Sequence, residues 1–337
     1  MAPPSPRDLS EKKFLVTGGA GFIGSALIWE LNRRGFENIV VSDYLGSDEK
    51  WRNLVPLRFH DYLEADSLLE RIRADDGFAG DFHTVLHLGA NSSTTETDAR
   101  HLIRNNFEYT KILCHAALAR GSRFVYASSA ATYGDGSAGM DDRSTDPADL
   151  RPLNMYGYSK HMFDLYAHRG GFLRDIVGLK YFNVFGPNEN HKGEMRSLVM
   201  KAFEQVVTDG RIRLFRSHRP DYRDGEQKRD FLYVKDAVRM TLHLAESPGA
   251  GGLFNLGSGE ANTWLRLARA IFAAMGEEER IEFIDMPPAL REKYQYHTRA
   301  DITKLRDAGY EHEPTVLEEA VAEYVRDHLI PGRRLGE

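Results

Sequence analysis

Short apolar runs alternate with amphipathic stretches through the first half of the chain. Phe14 to Val16 lead into the glycine-rich turn of TGGAGFIG (17–24), after which Ala26, Leu27 and Leu31 recur on one side of a helical period. NIVVSDY (38–44) reads as a second buried strand ending in Asp43. HTVLHLGA (83–90), RFVYASSAATYG (123–134) and IVGLKYFNVFGP (176–187) are further apolar runs, the last read as one strand closed by Gly-Pro. Helical patterns lie between them, over about 64–75, 99–120 and 156–170.

This alternation predicts an α/β fold, a doubly wound, Rossmann-type parallel sheet with crossover helices. In such sheets ligands sit beyond the carboxyl ends of the strands. The polar clusters SSTTE, SSAATYG and FNVFGPNENHK all follow apolar runs, so they are expected to share one crevice. After Pro187 the pattern changes. It predicts a helix over 195–209, a strand over 211–215, and an irregular charged loop, SHRPDYRDGEQKRDFL, over a ligand site. A strand and helix in DFLYVKDAVRMTLHLAES, a strand in GLFNLGSG, an amphipathic helix in WLRLARAIFAAMG and two helices within 300–329 complete the reading. The expected organisation is a lead (1–12), a dinucleotide-binding domain (13–187) and a smaller, partly interleaved substrate domain (188–330). Within the last, residues around 231–262 return to the nucleotide domain, and 331–337 form a tail.

At 337 residues and 42% apolar content the chain can bury a substantial core. The net charge of -6 gives no support to a nucleic-acid partner. No apolar stretch of about 18 residues suggests a membrane span. The opening MAPPSPRDLSEKK is polar and proline-rich, without a signal-peptide core, and reads as a disordered lead. Cys114 is the only cysteine, which fits a reducing, cytoplasmic setting and leaves no thiolate zinc site. His83, His87, His115, His161 and His191 are scattered, so no metal is expected, and Asp141, Asp142 and Asp146 read as a solvated loop.

Gly18, Gly21 and Gly24 give the spacing GxxGxxG between a strand and a helix, with Asp43 ending the next strand 19 residues on. Small residues let the backbone approach a pyrophosphate at a helix N-terminus, and the acid suits an adenosine ribose. Taken alone, Asp43 favours NAD, whereas Lys50 and Arg52 would suit the 2'-phosphate of NADP. Tyr156 and Lys160, in YGYSK, are one helical turn apart and share a face, with Tyr158 pointing elsewhere. A neighbouring ammonium lowers the pKa of a phenol, which makes a tyrosine useful for proton transfer in hydride chemistry. Ser128 and Ser129 end the preceding strand, where a hydroxyl can meet the reacting oxygen. Read locally, Lys192 is a surface lysine or a phosphate contact.

TGGAGFIG, SSAATYG and YGYSK resemble the extended short-chain dehydrogenase/reductase superfamily over nearly the whole chain. GANSSTTE (89–96), YFNVFGPNENHKGEM (181–195), QKRDFLYVKD (227–236) and REKYQYHTRAD (291–301) are similar, within it, to the ADP-L-glycero-D-manno-heptose 6-epimerases, from about residue 12 to 326. The resemblance implies Tyr156 as proton-transfer residue, Lys160 as its partner, Ser129 as substrate-orienting hydroxyl and Lys192 as a second proton-transfer group. It implies NADP, tightly bound and one per subunit, on Gly18, Gly21, Phe22, Ile23, Gly24, Asp43, Tyr44, Lys50, Gly89, Ala90, Asn91, Ser92, Asn105, Lys160 and Val184. An ADP-linked heptose would meet Asn183, Glu194, Lys201, Phe215, Arg216, Ser217, His218, Arg229 and Tyr294. It further implies a homo-oligomer, a pentamer among the forms allowed, and no partner protein.

The chemistry suits transient oxidation at a carbon bearing hydrogen and hydroxyl, with hydride returned to the other face and no net redox change. Another sugar-nucleotide epimerase, such as a UDP-hexose 4-epimerase, is the alternative enzyme. Ala130 and Ala131 stand where a dehydratase has an acidic pair, which argues against dehydration. A non-catalytic dinucleotide-binding scaffold is the third reading.

Overall fold

The computed structural model describes residues 12–75, 77–78, 82–291 and 294–337. Residues 1–11, nearly all of the expected lead, lie outside the described residues. β1 (Phe14–Thr17) turns into α1 (Phe22–Arg33) and is followed by β2 (Ile39–Asp43), β3 (Asp61–Glu64) and α2 (Ala65–Ala74). After β4 (Thr84–His87), α3 (Ala99–Leu102) widens into a π-helical turn over Ile103–Glu108 and continues as α4 (Tyr109–Ala119). β5 (Arg123–Ala127), α5 (Met155–Arg169) and β6 (Val177–Tyr181) follow.

Beyond them the chain forms β7 (Asn183–Phe185), α6 (Leu198–Asp209), β8 (Ile212–Phe215), β9 (Lys228–Arg229) and β10 (Phe231–Tyr233). Then come α7 (Val234–Glu246), β11 (Gly252–Leu256), β12 (Asn262–Thr263), α8 (Trp264–Met275) and β13 (Ile281–Ile284). Helices at Thr303–Asp307 and Leu317–Glu323 lie in the last part of the chain.

Seven strands make one parallel sheet in the order β11-β6-β5-β4-β1-β2-β3. The order reverses at β1, so the exits of β1 and β4 diverge and open a crevice. Strand periodicity sorts the core onto two faces. Leu15, Val40, Val85 and Phe124 join Leu68, Leu113 and Phe163 on one side. Val16, Val41, Leu86 and Val125 share the other core with Leu27, Leu31 and Val238. β8 and β13 form a separate parallel pair, beside which α6 and α8 pack.

Three local differences from the sequence reading affect the crevice. The run 176–187 is two strands, because Phe182 joins a small core with Tyr133, Leu150 and Ala300 while its N–H donates to Leu256 O at 3.0 Å. β7 therefore leaves the main sheet and pairs with β10. The helix expected over 99–120 is continuous but widens at the π-helical turn. The edge strand β3 was not expected, because its residues are only partly buried and carry no apolar run. Asp142 also departs from a solvated loop: it accepts the Asn255 N–H at 2.6 Å, and burial raises its carboxyl to about 6.

Asp230 fastens the substrate-side segments to the sheet. It is fully buried and accepts from Ser258 N at 2.6 Å, Ser258 Oγ at 2.8 Å, and Gly259 N and Ala300 N at 3.0 Å. Its own N–H donates to Thr298 Oγ1. One carboxylate thus gathers the turn after β11, the segment 298–300 and the β9–β10 junction. Asp230→Ala strands these donors in the interior and is expected to cost about 3–5 kcal/mol. Chemical denaturation of the two proteins measures it.

Candidate active site

β1 ends where no side chain fits. Gly18 has φ of 67°, and a Cβ on it would lie 2.6 Å from Gly89 N. A Cβ on Gly24 would lie 2.1 Å from Gly18 O. The three glycines close the turn against the exit of β4 and bring α1 to the crevice with no side chain capping its first turn. Free N–H groups and the positive end of a helix favour a phosphate there.

Asp43 joins the end of β2 to this turn. Its Oδ2 accepts Ala20 N–H at 3.0 Å and its Oδ1 accepts Tyr44 N–H at 2.7 Å. Lys50 Nζ lies 3.3 Å from the same Oδ1. The Tyr44 hydroxyl donates to Asp66 at 2.7 Å; burial and Asp66 push the phenol up to about 12, against a lowering effect of Arg104. Arg104 and Asp66 border the crevice and were not singled out in the sequence.

Asn106 links the segment after β4 to α5. It is fully buried, and the π-helical turn places it between β4 and α5. Its Oδ1 accepts Asn91 N–H at 2.8 Å, while its Nδ2 donates to Asn91 O and to Ser159 Oγ, both at 2.9 Å. Ser159 Oγ donates onward to Tyr156 O at 2.7 Å. No periodic signal marks Asn106, because its role is a side-chain bridge across distant segments.

α5 starts at Asn154, whose Oδ1 accepts Gly157 N–H at 2.8 Å, and it presents Tyr156 and Lys160 to the cavity. Tyr158 is exposed. Ser129 caps the turn after β5, its Oγ accepting Ala131 N–H at 3.1 Å. Burial raises the Tyr156 phenol, and a hydrogen bond with Ser129 opposes the rise. Burial lowers Lys160 to about 8, partly offset by Asp164. Across the cavity, Lys192 sits in a tight turn with its Nζ 5.2 Å from the Phe22 ring centre. Burial lowers its pKa and the nearby Glu189 raises it. Glu189 is itself buried and occupied by Ser197 and Tyr324, and Lys192 makes no salt bridge among the described residues.

One cavity of about 1120 Å³ is bordered by both ends of this arrangement. Gly18, Gly21, Phe22, Ile23, Gly24, Asp43, Tyr44, Lys50, Gly89, Ala90, Asn91, Ser92, Asn105 and Val184 border it, as do Ser129, Tyr156, Lys160, Asn183 and Lys192. Arg229 and Tyr294 lie just behind Trp264, which does border it. Arg229 is 7% exposed, its guanidinium 5.0 Å from the Tyr294 ring and 5.8 Å from Trp264, and its hydrogen bond goes to Lys228 O. Trp264 Nε1 donates to the Tyr294 hydroxyl at 2.8 Å.

The structure does not bring Glu194, Lys201, Phe215, Arg216, Ser217 or His218 to the cavity. Lys201 pairs with Glu194 at the surface. Backbone bonds turn 215–218 elsewhere, Arg216 N donating to Ile284 O and His218 N to the Tyr296 hydroxyl, both at 2.9 Å. The following loop packs on itself, Arg219 lying over Tyr222 and Tyr296.

Among the described residues, no group of three or more His, Cys, Asp or Glu side chains could hold a metal ion, and no helix is long and apolar enough to cross a membrane. The model of the NAD dependent epimerase/dehydratase family matches residues 14–257. An ADP-L-glycero-D-manno-heptose-6-epimerase of Nitratidesulfovibrio vulgaris is 53% identical over 316 residues, 94% of this chain and 98% of that protein. The crystal structure of Helicobacter pylori ADP-L-glycero-D-manno-heptose-6-epimerase superposes with a TM-score of 0.79 at 24% identity, covering 96% of this chain and 98% of that one. Thermus thermophilus UDP-glucose 4-epimerase, in complex with NAD, gives 0.75 at 25% identity, covering 95% and 100%. The family match covers most of the chain and the relative is matched over nearly its full length, and this chain belongs to the NAD dependent epimerase/dehydratase family.

Proposed function

We propose that this chain inverts C6 of ADP-D-glycero-β-D-manno-heptose, giving the L-glycero form through a transient 6-keto sugar, with NADP held in the crevice. The observation that carries the reading is a single cavity that joins the glycine turn to Ser129, Tyr156 and Lys160 and has Lys192 on its border. The identity of the sugar is supported by the 53% identical relative, matched over nearly its full length.

The residues fit a nicotinamide dinucleotide, because the close-packed glycine turn brings the uncapped start of α1 to the border of the cavity. Gly18 to Gly24 would hold its pyrophosphate and Asp43, Tyr44 and Lys50 its adenosine ribose. When bound, the dinucleotide accepts a hydride from the sugar carbon and gives it back. Tyr156 moves the proton of the C6 hydroxyl, and the Lys160 ammonium stabilises its phenolate. Ser129 orients the sugar oxygen. Lys192 serves the opposite stereochemical face as a neutral amine, a form favoured by its burial. Arg229, buried and without a carboxylate partner among the described residues, suits the diphosphate of the sugar nucleotide. NADP is favoured over NAD because Lys50 already offsets the charge of Asp43 and Arg104 adds a second cation nearby.

Purified protein incubated with ADP-D-glycero-β-D-manno-heptose and no added cofactor is expected to yield the L-glycero form, read by proton NMR. Turnover of UDP-hexoses with this sugar left unchanged would defeat the assignment. The dinucleotide released on denaturation is expected to carry a 2'-phosphate by mass. Tyr156→Phe should retain fold and dinucleotide while turnover drops by about 100-fold or more; a variant as fast as wild type removes the residue from the mechanism.

Lys160 acts as a cation, so its contribution is present below its pKa of about 8 and is lost as pH rises through it. Lys192 acts as a neutral amine, so activity is lost as pH falls below its own depressed pKa. Turnover is expected to fall on the alkaline side in wild type and to lose that limb in Lys160→Arg, which stays protonated. A matching alkaline limb in both proteins rules Lys160 out as its source.

A further inference from the structure

Asn53 and Asn188 form a buried carboxamide pair between the glycine turn and the turn that carries Lys192. Asn53 is 1% exposed and Asn188 is fully buried. Asn53 Nδ2 donates to Ala20 O at 3.0 Å and to Asn188 O at 3.1 Å, and lies 3.4 Å from His191 Nδ1. Asn188 has φ of 77°, a left-handed setting that asparagine tolerates, and its Nδ2 donates to Ser25 Oγ at 3.0 Å. All of these bonds use the nitrogen ends of the two amides.

The oxygen ends are filled by residues 331–337, read from the sequence as a tail. Arg334 Nε donates to Asn53 Oδ1 at 3.2 Å, and Leu335 N–H donates to Asn188 Oδ1 at 3.0 Å. Leu335 is 1% exposed within the main core, and Arg334 also reaches Glu49 at 3.6 Å. Both groups are donors only, so they force each amide to turn its oxygen toward 334–335 and its nitrogen toward the active-site turns. Losing the Arg334 guanidinium, or the buried Leu335 side chain that seats the 335 N–H, leaves a buried acceptor empty and frees that amide to rotate.

We propose that Arg334 and Leu335 are positioning residues for Lys192: by fixing both carboxamides they hold residues 188–192 against the glycine turn. Neither touches the cavity, so they act only through Asn53 and Asn188. The proposal rests on the reading of Lys192 as the second proton-transfer group.

Arg334→Ala and Leu335→Ala are made in the full chain, alone and combined with Lys192→Met, and checked for bound dinucleotide. Each single variant is expected to lower kcat by about tenfold with KM changed less than about twofold, and Arg334→Lys to recover most of the loss. On the Lys192→Met background neither is expected to lower kcat further. Equal losses on both backgrounds, or a folded variant with unchanged kcat, overturn the proposal. Hydrogen exchange over 188–196 follows the turn without substrate, and exchange at least about tenfold faster than wild type is expected in Leu335→Ala. Unchanged exchange there overturns the proposal whatever sugar the enzyme accepts. Lys192→Met turning over like wild type, with exchange still accelerated, overturns it instead through the role of Lys192.

Discussion

The contact on which the site depends is one between backbones. Where β1, α1 and β4 converge, Gly18 lies against Gly89, and Gly24 against Gly18, at separations that admit no side-chain carbon. This closeness lets the start of α1 reach the crevice, and it fixes the gap between the exits of β1 and β4 that a pyrophosphate must enter. Asp43 then joins this turn through the Ala20 N–H, which couples the end of β2 to the glycine turn. A larger side chain at either glycine would displace both at once.

Around that contact, irregular pieces of chain are held by buried polar side chains rather than by ladders. Asn106 spans β4 and α5, Asp230 gathers three segments, and Asn53 with Asn188 joins the two turns facing the cavity. Asp164 does similar work beneath the reaction side, accepting from Tyr126 at 2.8 Å, Ser128 at 2.7 Å and Lys180 at 3.3 Å. Each group is nearly or fully satisfied by several partners. Such networks specify a single arrangement because losing one partner leaves the others desolvated and unpaired.

This division explains what could be read from the sequence. Apolar runs of period two and helices of period 3.6 are local signals, and they mark β1, β2, β4, β5 and the helices between them. The glycine spacing and the Tyr156–Lys160 pair are local too. Asn106, Asn53 and Arg334 carry no such signal, since their partners lie up to 281 residues away. β3 escaped notice because an edge strand with half-solvated faces needs no apolar run. The break at Phe182 is set by a pocket made of Tyr133, Leu150 and Ala300, residues distant in sequence. Residues 215–218 follow the same logic: bonds to Ile284 and Tyr296 decide where they sit, and these bonds turn them from the cavity.

Burial has opposite value for the two lysines that border the cavity. It lowers the pKa of both, which helps a group that must accept a proton and weakens one that must stay charged. The fold answers with the placement of carboxylates. Asp164 lies behind Lys160 within a network of three donors, and it keeps that lysine charged up to about 8. Glu189 lies beside Lys192 but spends its oxygens on Ser197 and Tyr324, so among the described residues no salt bridge anchors the ammonium form. Under the proposed roles, two residues of the same type are thereby suited to different tasks by what their neighbours are already bound to. The same accounting applies to Arg229, which has aromatic faces and, among the described residues, no carboxylate partner, an arrangement in keeping with the anion proposed for it.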